Sequence, residues 1–341
     1  MSLPQVKNTV GPGKIGLDAL QTVSVIGKGS YAKVLLVKKK SDGKLFALKV
    51  IKKQLVSSEK QFNHLLSEKQ VLINVKDLPF VVHVHATFQS PRKIFFLLDY
   101  CPGGDLFSYL QLHTRLSERQ TKFIAAQLVV ALEAIHGRNV VYRDLKPENI
   151  IIDHDGYVKL TDFGLSKVLT KSEKMKSICG TPEYLAPEML TKGGYGQSCD
   201  WWALGCVIYE MVTGMPPFFS NSRKDLFESI LQHKPKYPSS LSPSLVKMLD
   251  GLLEKDFTKR LGSKLGAKDI KNHFWFIDIS WEYLKVKNLP SPLHIDAKTN
   301  SGLANFDKEF TKMPVNSYEE PISSTELHLF TDFSWAPESL G

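Results

Sequence analysis

Short runs of aliphatic residues fill much of the first hundred positions of the chain. They are Val23–Val37, interrupted by Gly27-x-Gly29, then Leu45–Val50, Val81–Phe88 and Ile94–Leu98. Runs of this length that are rich in β-branched residues predict strands. Residues 60–73 instead repeat their apolar positions at roughly helical spacing. This part of the chain is therefore predicted to form an antiparallel sheet of about five strands with one helix.

Helical patterns dominate after Cys101-Pro102-Gly103-Gly104, a cluster of turn residues that indicates a hinge between two lobes. Ser117-x-x-Gln120 is a capping box and predicts a long helix after it. A very apolar helix is predicted at 200–212. Further helices are predicted at 224–232, 242–253 and 267–272. The tail from Ile277 has little helical pattern.

Composition narrows the class of protein. The 341 residues are 43% hydrophobic and 23% charged, which suits an ordinary globular protein with a sizeable core. The formal net charge of +9 could indicate nucleic acid or a membrane surface as partner, but the basic residues are spread along the chain. Four cysteines without a C-x-x-C pair argue against zinc or disulfides and favour a reducing compartment. With no signal or membrane-span pattern, we expect an intracellular protein without stable membrane insertion.

The densest candidate chemistry lies in Val141–Gly164. Asp144 and Asp162 occupy two short loops, and Lys146 and Asn149 follow the first of them. The segments between them predict a tight hairpin, so both aspartates would face one small volume. Such a group of side chains could position a hydroxyl against a Mg²⁺-bound triphosphate. From these residues alone, an ordinary surface hairpin with polar loops is the alternative.

Two upstream features fit the same chemistry. Gly27 and Gly29 separate two predicted strands, and glycines let backbone N–H groups approach phosphate oxygens. A plain tight hairpin is the alternative, and Ala32 replaces the third glycine of the phosphate-loop pattern. Lys49 lies in an apolar strand and needs an anionic partner, for which Glu68 and a triphosphate are candidates. A lysine that reaches solvent from an edge strand is the other interpretation.

Taken in order, these segments resemble the motifs of eukaryotic protein kinases, over roughly residues 22–335. The matches are G-K-G-S-Y-A-K-V at 27–34, F-A-L-K at 46–49, Y-R-D-L-K-P-E-N at 142–149, D-F-G at 162–164 and A-P-E at 186–188. Each motif alone is weak. The whole series is specific, with Glu68 at the place of the family's helix glutamate.

Further details resemble the AGC group of serine/threonine kinases. Tyr142 replaces the usual histidine before Arg143, and G-T-P-E-Y-L-A-P-E occupies 180–188. The segment F-T-D-F-S-W at 330–335 looks like that group's hydrophobic motif, and 306–317 looks like its turn motif. Protein kinase B and the serum- and glucocorticoid-regulated kinases share these features. The short segment before the domain favours the latter, or kinases of ribosomal proteins, because it has no room for a lipid-binding domain.

The resemblance implies an α+β, bilobal protein-kinase fold with a small antiparallel five-stranded sheet. Residues 1–20 would be a flexible lead-in, and residues 21–276 the kinase domain. Its small lobe would span 21–100 and its mainly helical large lobe 101–276. Residues 277–341 would be an AGC-type tail that wraps the small lobe. A monomer is expected.

The resemblance also implies ATP and Mg²⁺ as cofactors. The residues expected at ATP are Ile26, Gly27, Gly29, Val34, Ala47, Lys49, Glu68, Leu98, Asp99, Cys101, Glu148, Ile151 and Asp162. Asn149 and Asp162 would hold Mg²⁺, which prefers oxygen ligands. Asp144 would accept or orient the proton of the incoming hydroxyl, and Lys146 would neutralise the transferring phosphoryl charge.

Regulatory sites follow from the same resemblance. Ser177 is expected to be the activating phosphosite, with Arg143 as the partner of its phosphate. Ser317 and Ser334 are the expected phosphosites of the tail. The aromatic residues around Ser334 would dock beside the Glu68 helix. An upstream activating kinase is the expected partner at these sites.

Substrate choice can be argued from three acids. Asp105, Glu148 and Glu210 stand where the family places acids against basic residues that precede the phospho-acceptor. The expected partners are thus protein substrates with Arg upstream of Ser or Thr, notably three residues before it, and no nucleic acid. Glu188 and Arg260 are expected to form a structural ion pair.

Two competing classes remain to be weighed. A pseudokinase scaffold would typically lack one of four residues that are all present here: Lys49, Asp144, Asn149 and Asp162. A nucleic-acid-binding protein would show a clustered aromatic and basic patch, which the sequence lacks. The expected location is the cytoplasm, with the nucleus left open.

Overall fold

The computed structural model describes residues 16–29, 32–56, 58–169, 174–295, 303–315 and 333–337. The described residues form two compact units. The first combines those of 1–69, 82–100 and 303–341, and the second those of 70–81 and 101–302. Three of the features predicted from the sequence lie outside the described residues: the glycine-loop tip at Ser30 and Tyr31, the phosphosite Ser317 and the aromatic residue Phe330.

The strands confirm the predicted sheet. They are β1 (Leu20–Lys28), β2 (Ala32–Lys39), β3 (Leu45–Lys52), β4 (Val84–Gln89), β5 (Lys93–Asp99), β6 (Val140–Val141), β7 (Ile150–Ile152), β8 (Val158–Leu160) and β9 (Lys167–Val168). In the first unit, β1 to β5 form one antiparallel sheet in the order β1-β2-β3-β5-β4. In the second unit, β6 pairs with β9 and β7 with β8. The hairpin predicted in Val141–Gly164 is β7–β8.

The helices follow most of the predicted pattern. They are α1 (Glu59–Val75), α2 (Leu106–His113), α3 (Glu118–Gly137), α4 (Ser198–Thr213), α5 (Arg223–Gln232), α6 (Pro243–Leu252), α7 (Ala267–Lys271), α8 (Trp281–Lys285) and α9 (Lys308–Thr311). The capping box of Ser117 and Gln120 is present at the start of α3. Each helix in the described residues is too short or too polar to cross a membrane.

Helices α3 and α4 form the centre of the second unit. Every residue of α4 from Cys199 to Val212 is buried, and the helix ends at Gly214, whose φ of 87° is the left-handed conformation of a C-terminal cap. Gly205 lets α4 approach α6, because a Cβ there would lie 2.9 Å from the Cβ of Leu252. The close packing of α4 on α6 gives the loops before α4 a rigid support.

Differences from the sequence prediction concern the start of β4, helix α2 and the tail. Strand β4 begins at Val84 and not at Val81, because Val81 forms an isolated bridge with Leu160. Helix α2 was not predicted, although Asp105 caps it by accepting a hydrogen bond from the Ser108 backbone at 2.7 Å. The tail, expected to have little helix, contains the short helices α8 and α9.

Candidate active site

One face of the sheet in the first unit carries five of the residues predicted to contact ATP. Gly27, Val34 and Lys49 are direct partners across β1, β2 and β3. Ala47 and Leu98 are partners across β3 and β5. Ala47 precedes Lys49 by two positions, so both side chains lie on the same face of the strand. This face therefore presents one ammonium within an apolar surface.

The Lys49 ammonium is held by a carboxylate of helix α1. Its Nζ lies 2.6 Å from Oε1 of Glu68, with the two side chains 17% and 8% exposed. Little water surrounds such a pair, so its geometry is well defined. Glu68 is thus the anionic partner that Lys49 was predicted to need.

The remaining predicted residues of the first unit flank this face. Ile26 is buried in an irregularity of β1, next to Gly27. The Gly29 N–H donates to the Ala32 carbonyl at 2.8 Å and closes the turn between β1 and β2. Asp99 ends β5, and its carboxylate is 2.7 Å from Nε2 of His85. The Asp99 side chain is therefore held within the first unit by His85. This leaves the Asp99 backbone as the candidate for contacts with a ligand.

In the second unit, the loop after β6 gathers the predicted catalytic residues. The amide nitrogen of Asn149 donates to the Asp144 backbone carbonyl at 2.8 Å and to its carboxylate at 2.9 Å. The Lys146 ammonium lies 3.4 Å from the same carboxylate and donates to the Thr181 hydroxyl at 2.8 Å. Asp144 is only 9% exposed. A nearly buried carboxylate is thereby fixed next to one cation.

Asp162 is held close to the catalytic loop by hydrogen bonds of the preceding residue, Thr161. The Thr161 N–H donates to the Asn149 carbonyl at 3.0 Å, and the Tyr142 hydroxyl donates to the Thr161 carbonyl. Asp162 itself has a φ of 54°, a conformation that is costly for a residue with a Cβ and is found mostly at functional sites. The two loops predicted to lie close together are therefore connected.

The donor set in these loops fits Mg²⁺. The Asn149 amide nitrogen is turned toward Asp144, so the amide oxygen is the atom that could hold a cation. Together with the Asp162 carboxylate it offers the hard oxygen ligands that Mg²⁺ prefers. The chemistry of the residues thus agrees with the expected metal.

Asp200 braces the backbone of the catalytic loop. It lies at the start of α4 and is fully buried. Its carboxylate accepts hydrogen bonds from the Tyr142 N–H at 2.9 Å and the Arg143 N–H at 2.8 Å. His136 was not singled out from the sequence, yet its Nε2 lies 2.8 Å from the same carboxylate. The position of Asp144 therefore depends on α3 and α4.

The segment after the hinge lies directly on β7. The Gly103 N–H donates to the Ile152 carbonyl at 2.9 Å, and the Ile152 N–H donates to the Gly104 carbonyl at 2.8 Å. A Cβ on Gly103 would lie 2.7 Å from the Ile152 carbonyl oxygen, so this close approach requires glycine. Cys101 and Ile151, two of the residues expected at ATP, are thus held close in one unit.

Arg143 joins the catalytic loop to the segment that contains Ser177. Its Nη1 donates to the Ser177 hydroxyl and to the Tyr195 hydroxyl, each at 3.3 Å. The Tyr195 hydroxyl in turn donates to the Ser177 carbonyl at 2.7 Å. The Ser177 hydroxyl thus lies near Arg143, the residue expected to pair with its phosphate. Nothing in the sequence pattern had indicated Tyr195.

Three predicted acids of the second unit differ in their surroundings. Burial raises the pKa of Glu210 to about 7, and repulsion from Glu148 adds to this, while a 2.5 Å hydrogen bond from the Tyr184 hydroxyl opposes it. Burial, and to a lesser degree Asp105 and Asp144, also raises the pKa of Glu148. Asp105 has a structural role as well, since it caps α2.

The described end of the tail packs on the first unit. The ring of Phe333 meets the ring of Phe96 edge to face at 5.5 Å, and the Lys69 ammonium lies 5.2 Å from its centre. Trp335 forms an antiparallel bridge with Thr87 of β4. Because Lys69 follows Glu68 in α1, Phe333 lies beside the Glu68 helix, as predicted. Ser334 is exposed.

The expected structural ion pair is also present. Arg260 donates to both carboxylate oxygens of Glu188, at 2.6 and 2.8 Å, and the two side chains are 0% and 3% exposed. This pair fixes the end of the A-P-E segment against the helical core of the second unit.

Comparison with known proteins agrees with this arrangement. The protein kinase domain family matches residues 20–276. The chain is 44% identical over 295 residues to the serine/threonine-protein kinase Sgk2 of Mus musculus, covering 86% of this chain and 80% of that protein. It is 42% identical over 304 residues to protein kinase 2 of Dictyostelium discoideum, covering 89% and 63% of the two chains. It is also 41% identical over 323 residues to the serine/threonine-protein kinase gad8 of Schizosaccharomyces pombe, covering 94% of this chain and 56% of that protein. The chain therefore belongs to the protein kinase family, as a serine/threonine kinase of the AGC group.

Proposed function

We propose that this kinase transfers the γ-phosphoryl group of Mg²⁺-bound ATP to serine and threonine hydroxyls that follow basic residues. The observation that carries the proposal is the setting of Asp144, whose carboxylate is held by Asn149 and lies 3.4 Å from the Lys146 ammonium. A carboxylate fixed in this way can orient a hydroxyl and accept its proton. The adjacent ammonium can neutralise charge on the transferring group.

In the reaction, the substrate oxygen bonds to the γ-phosphorus as the bond to the β,γ-bridging oxygen breaks, and ADP leaves. The hydroxyl proton passes to Asp144. Lys146 would face the transferring group, and Asn149 and Asp162 would hold the metal. When bound, Mg²⁺ neutralises charge on the phosphate oxygens.

The ATP-binding roles are proposed as follows. Lys49, held by Glu68, contacts the α- and β-phosphates. The glycine-loop residues that cover the nucleotide are Ile26, Gly27, Gly29 and Val34. Those that contact adenine are Ala47, Leu98 and Ile151, with the backbone of Asp99 and Cys101. Their support is the shared sheet face and the hinge contacts with β7.

Transfer of radiolabelled phosphate from ATP to an arginine-containing serine peptide tests the activity. The preparation should carry phosphate on Ser177, verified by mass spectrometry. We expect transfer by the native chain and a loss of at least about 100-fold in Lys49→Met and Asp162→Ala. Lys44→Met, at an exposed lysine before β3, is the matched control and should retain activity. ATP binding without transfer by the native chain would instead favour a kinase-shaped scaffold.

Three acids support the preference for basic residues upstream of the acceptor. Repulsion from Glu148 adds to the effect of burial in raising the pKa of Glu210, so the two carboxyls lie close enough to act on one bound cation. An arginine guanidinium would neutralise them. Asp105 lies near Glu148 but is partly committed to its capping role. A peptide array should show the strongest arginine effect three residues before the acceptor, and an array without that bias would contradict the assignment.

Ser177 is proposed as the activating phosphosite. Its hydroxyl is exposed and already lies 3.3 Å from an Arg143 nitrogen. A phosphate there would add nearly two negative charges and replace this weak contact with charge-assisted hydrogen bonds. Ser177→Ala should lower activity strongly. Full activity of that variant, after phosphorylation of all other sites, would contradict the proposal.

Ser334 is proposed as a second phosphosite, supported by the packing of its neighbour Phe333 against α1. By holding α1, the docked segment would favour the pairing of Lys49 with Glu68. Deletion of residues 326–341 should therefore lower activity, and Phe333→Ala should do so even with Ser334 intact. Unchanged activity after the deletion would remove this regulatory role.

A cluster of lysines supports a third site, at Ser317. Lys28 and Lys33 are direct partners across β1 and β2, and Lys52 and Lys93 are partners across β3 and β5. Like charges opposite each other destabilise a sheet. Burial, followed by repulsion from the other three lysines, lowers the pKa of Lys33. A nearby phosphate would relieve this repulsion.

The tail segment that precedes Ser317 reaches this cluster. The Lys33 ammonium donates to the Pro314 carbonyl at 3.2 Å. Phosphorylation of Ser317 should therefore raise the melting temperature, and the increase should vanish in the double variant Lys28→Ala/Lys33→Ala. The same double change at exposed Lys38 and Lys40 is the control. A phosphorylated chain that melts like the unphosphorylated one would contradict this role.

The remaining partners and the location are proposed from the family. The sites at Ser177, Ser317 and Ser334 imply at least one upstream kinase, and the chain is proposed to act as a monomer. The four cysteines are free thiols, which suits the reducing cytoplasm. Light scattering of the purified chain tests the monomer.

A further inference from the structure

A cavity of about 660 Å³ opens in the helical unit, away from the residues assigned to catalysis. It is formed by the end of α3, the start of α4 and the segment that leads into α7. Side chains that define it include Glu133, His136, Trp201, Phe257 and Leu265. Its volume is in the range of sites that hold small organic ligands.

The walls of this cavity combine apolar and aromatic side chains with polar ones. The Trp201 indole meets the His136 ring edge to face at 4.9 Å. Gly262, with a φ of 91°, lets the backbone pass over the indole, because a Cβ there would lie 2.8 Å from Trp201 Cδ1. Phe257 and Leu265 leave 37% and 62% of their surface exposed at the opening. A ligand that covered these two side chains would remove apolar surface from water.

The charge of the cavity lining is positive. Lys264 and Lys268 both line it, and within the described residues neither has a salt-bridge partner. Glu133 is the single carboxylate among the lining residues, and it is paired with Lys271. Two cations thus remain beside the exposed apolar side chains of Phe257 and Leu265.

We propose that this cavity binds a small amphipathic anion, an aromatic ring system that carries a carboxylate. Its rings would lie against Phe257 and Leu265, the apolar side chains exposed at the opening, and the Phe257 ring would add an aromatic contact to the gain from burial. Its carboxylate would pair with Lys264 and Lys268. A cation of the same shape would be repelled by these lysines.

Such a ligand would contact a residue that supports the catalytic loop. The His136 ring lines the cavity, and its Nε2 lies 2.8 Å from the Asp200 carboxylate. Asp200 in turn holds the backbone N–H groups of Tyr142 and Arg143. The proposed site is thus outside the catalytic residues but directly behind their support.

Calorimetric titration of the full chain with 1-naphthaleneacetate tests the proposal, with 1-naphthylmethylamine as the cationic ligand of similar shape. A saturating non-hydrolysable ATP analogue with Mg²⁺ is present throughout. We expect the carboxylate to bind at one site per chain and the amine at least tenfold more weakly. Leu265→Ala, at an exposed position, should weaken the carboxylate at least threefold.

Charge variants show where the ligand binds. The double variant Lys264→Glu/Lys268→Glu should weaken the carboxylate at least tenfold. Lys259→Glu, in the same segment but outside the cavity lining, is the control and should bind it like the native chain. Equal binding of the amine, undiminished binding by the double variant, or no binding of the carboxylate while the ATP analogue occupies its own site would each overturn the proposal. Because the kinase activity does not enter these measurements, their outcome is separate from that of the phosphate-transfer assay.

Discussion

At the scale of single residues, Glu210 should make substrate choice depend on pH. Burial raises the pKa of this carboxyl to about 7, so it is mostly neutral below that pH and mostly ionised above it. Only the ionised form attracts an arginine guanidinium strongly. The preference for an arginine peptide over its alanine analogue should therefore rise about three- to tenfold between about pH 6 and about pH 8.

The ratio of kcat/KM values for the two peptides measures this preference across the pH range. Glu210→Gln supplies the control, since its amide cannot titrate and the ratio should stay low and flat. A ratio that rises equally in the variant would assign the pH dependence to another group, such as Glu148.

The buried pair of Glu188 and Arg260 should make a large contribution to stability. Glu188→Gln would leave the guanidinium of Arg260 without its carboxylate in a site that water does not reach. Removing one partner of such a pair costs about 3–5 kcal/mol. Urea unfolding of the variant should show this loss, whereas Lys259→Ala, at a side chain that is 76% exposed, should change the free energy of unfolding by about 0.5 kcal/mol or less. A loss below about 1 kcal/mol in Glu188→Gln would show that the site relaxes or admits water.

The motif residues Asp144, Lys146 and Asn149 lie close together in the structure, as their short spacing in the sequence indicated. The contacts that orient those residues were less accessible. Tyr195 and His136 are joined to Arg143 and Asp200 only by the fold, and neither belongs to a local pattern. Their roles appear only when distant segments are brought together.

At the scale of elements, the described end of the tail should depend on Thr87. Its backbone exchanges two hydrogen bonds with Trp335, each 2.8 Å long, and its hydroxyl donates to the Phe333 carbonyl at 2.9 Å. Thr87→Val keeps the shape and the backbone bonds but removes the hydroxyl. The lost hydrogen bond should weaken docking by about 1 kcal/mol and speed proteolysis of the tail about fivefold.

Limited proteolysis followed by mass spectrometry measures this effect. Thr22→Val, at an exposed position of β1, is the matched control and should leave the cleavage rate of the tail unchanged. Equal rates in Thr87→Val and the native chain would indicate that the backbone bridge and the Phe333 ring suffice.

Elements with strong local signals were predicted well from the sequence. The β7–β8 hairpin has a tight turn at Asp155-Gly156, and α3 has both a capping box and a continuous apolar face. Helix α2 was missed because Asp105 was interpreted only as an acid for substrate binding. Helix α8 is only five residues long, too short for a periodic pattern to be visible.

At the scale of the whole molecule, the distribution of charge shows what a linear sequence conceals. The run Lys38-Lys39-Lys40 is conspicuous in the sequence, but it lies around the turn between β2 and β3. The lysine cluster on the sheet instead comes from three separate parts of the chain, namely Lys28 with Lys33, Lys52, and Lys93. Strand pairing brings them together, so their effect on the pKa of Lys33 required the strand register.

Nucleotide binding should stabilise the whole chain in a way that depends on the metal. A ligand that binds only the folded state, at about 100 times its dissociation constant, adds about 2.7 kcal/mol to the free energy of unfolding. A non-hydrolysable ATP analogue with Mg²⁺ should therefore raise the melting temperature, and EDTA should remove much of the increase. In Asp162→Ala with Mg²⁺, the rise in melting temperature should be as small as in the native chain with EDTA, because the metal is not bound in either case. Since Lys49 is proposed to contact the phosphates directly, Lys49→Met should lower the increase in either condition. If the melting temperature rises equally with and without EDTA, nucleotide binding does not depend on a metal. That result would contradict the assignment of Asn149 and Asp162 as metal ligands.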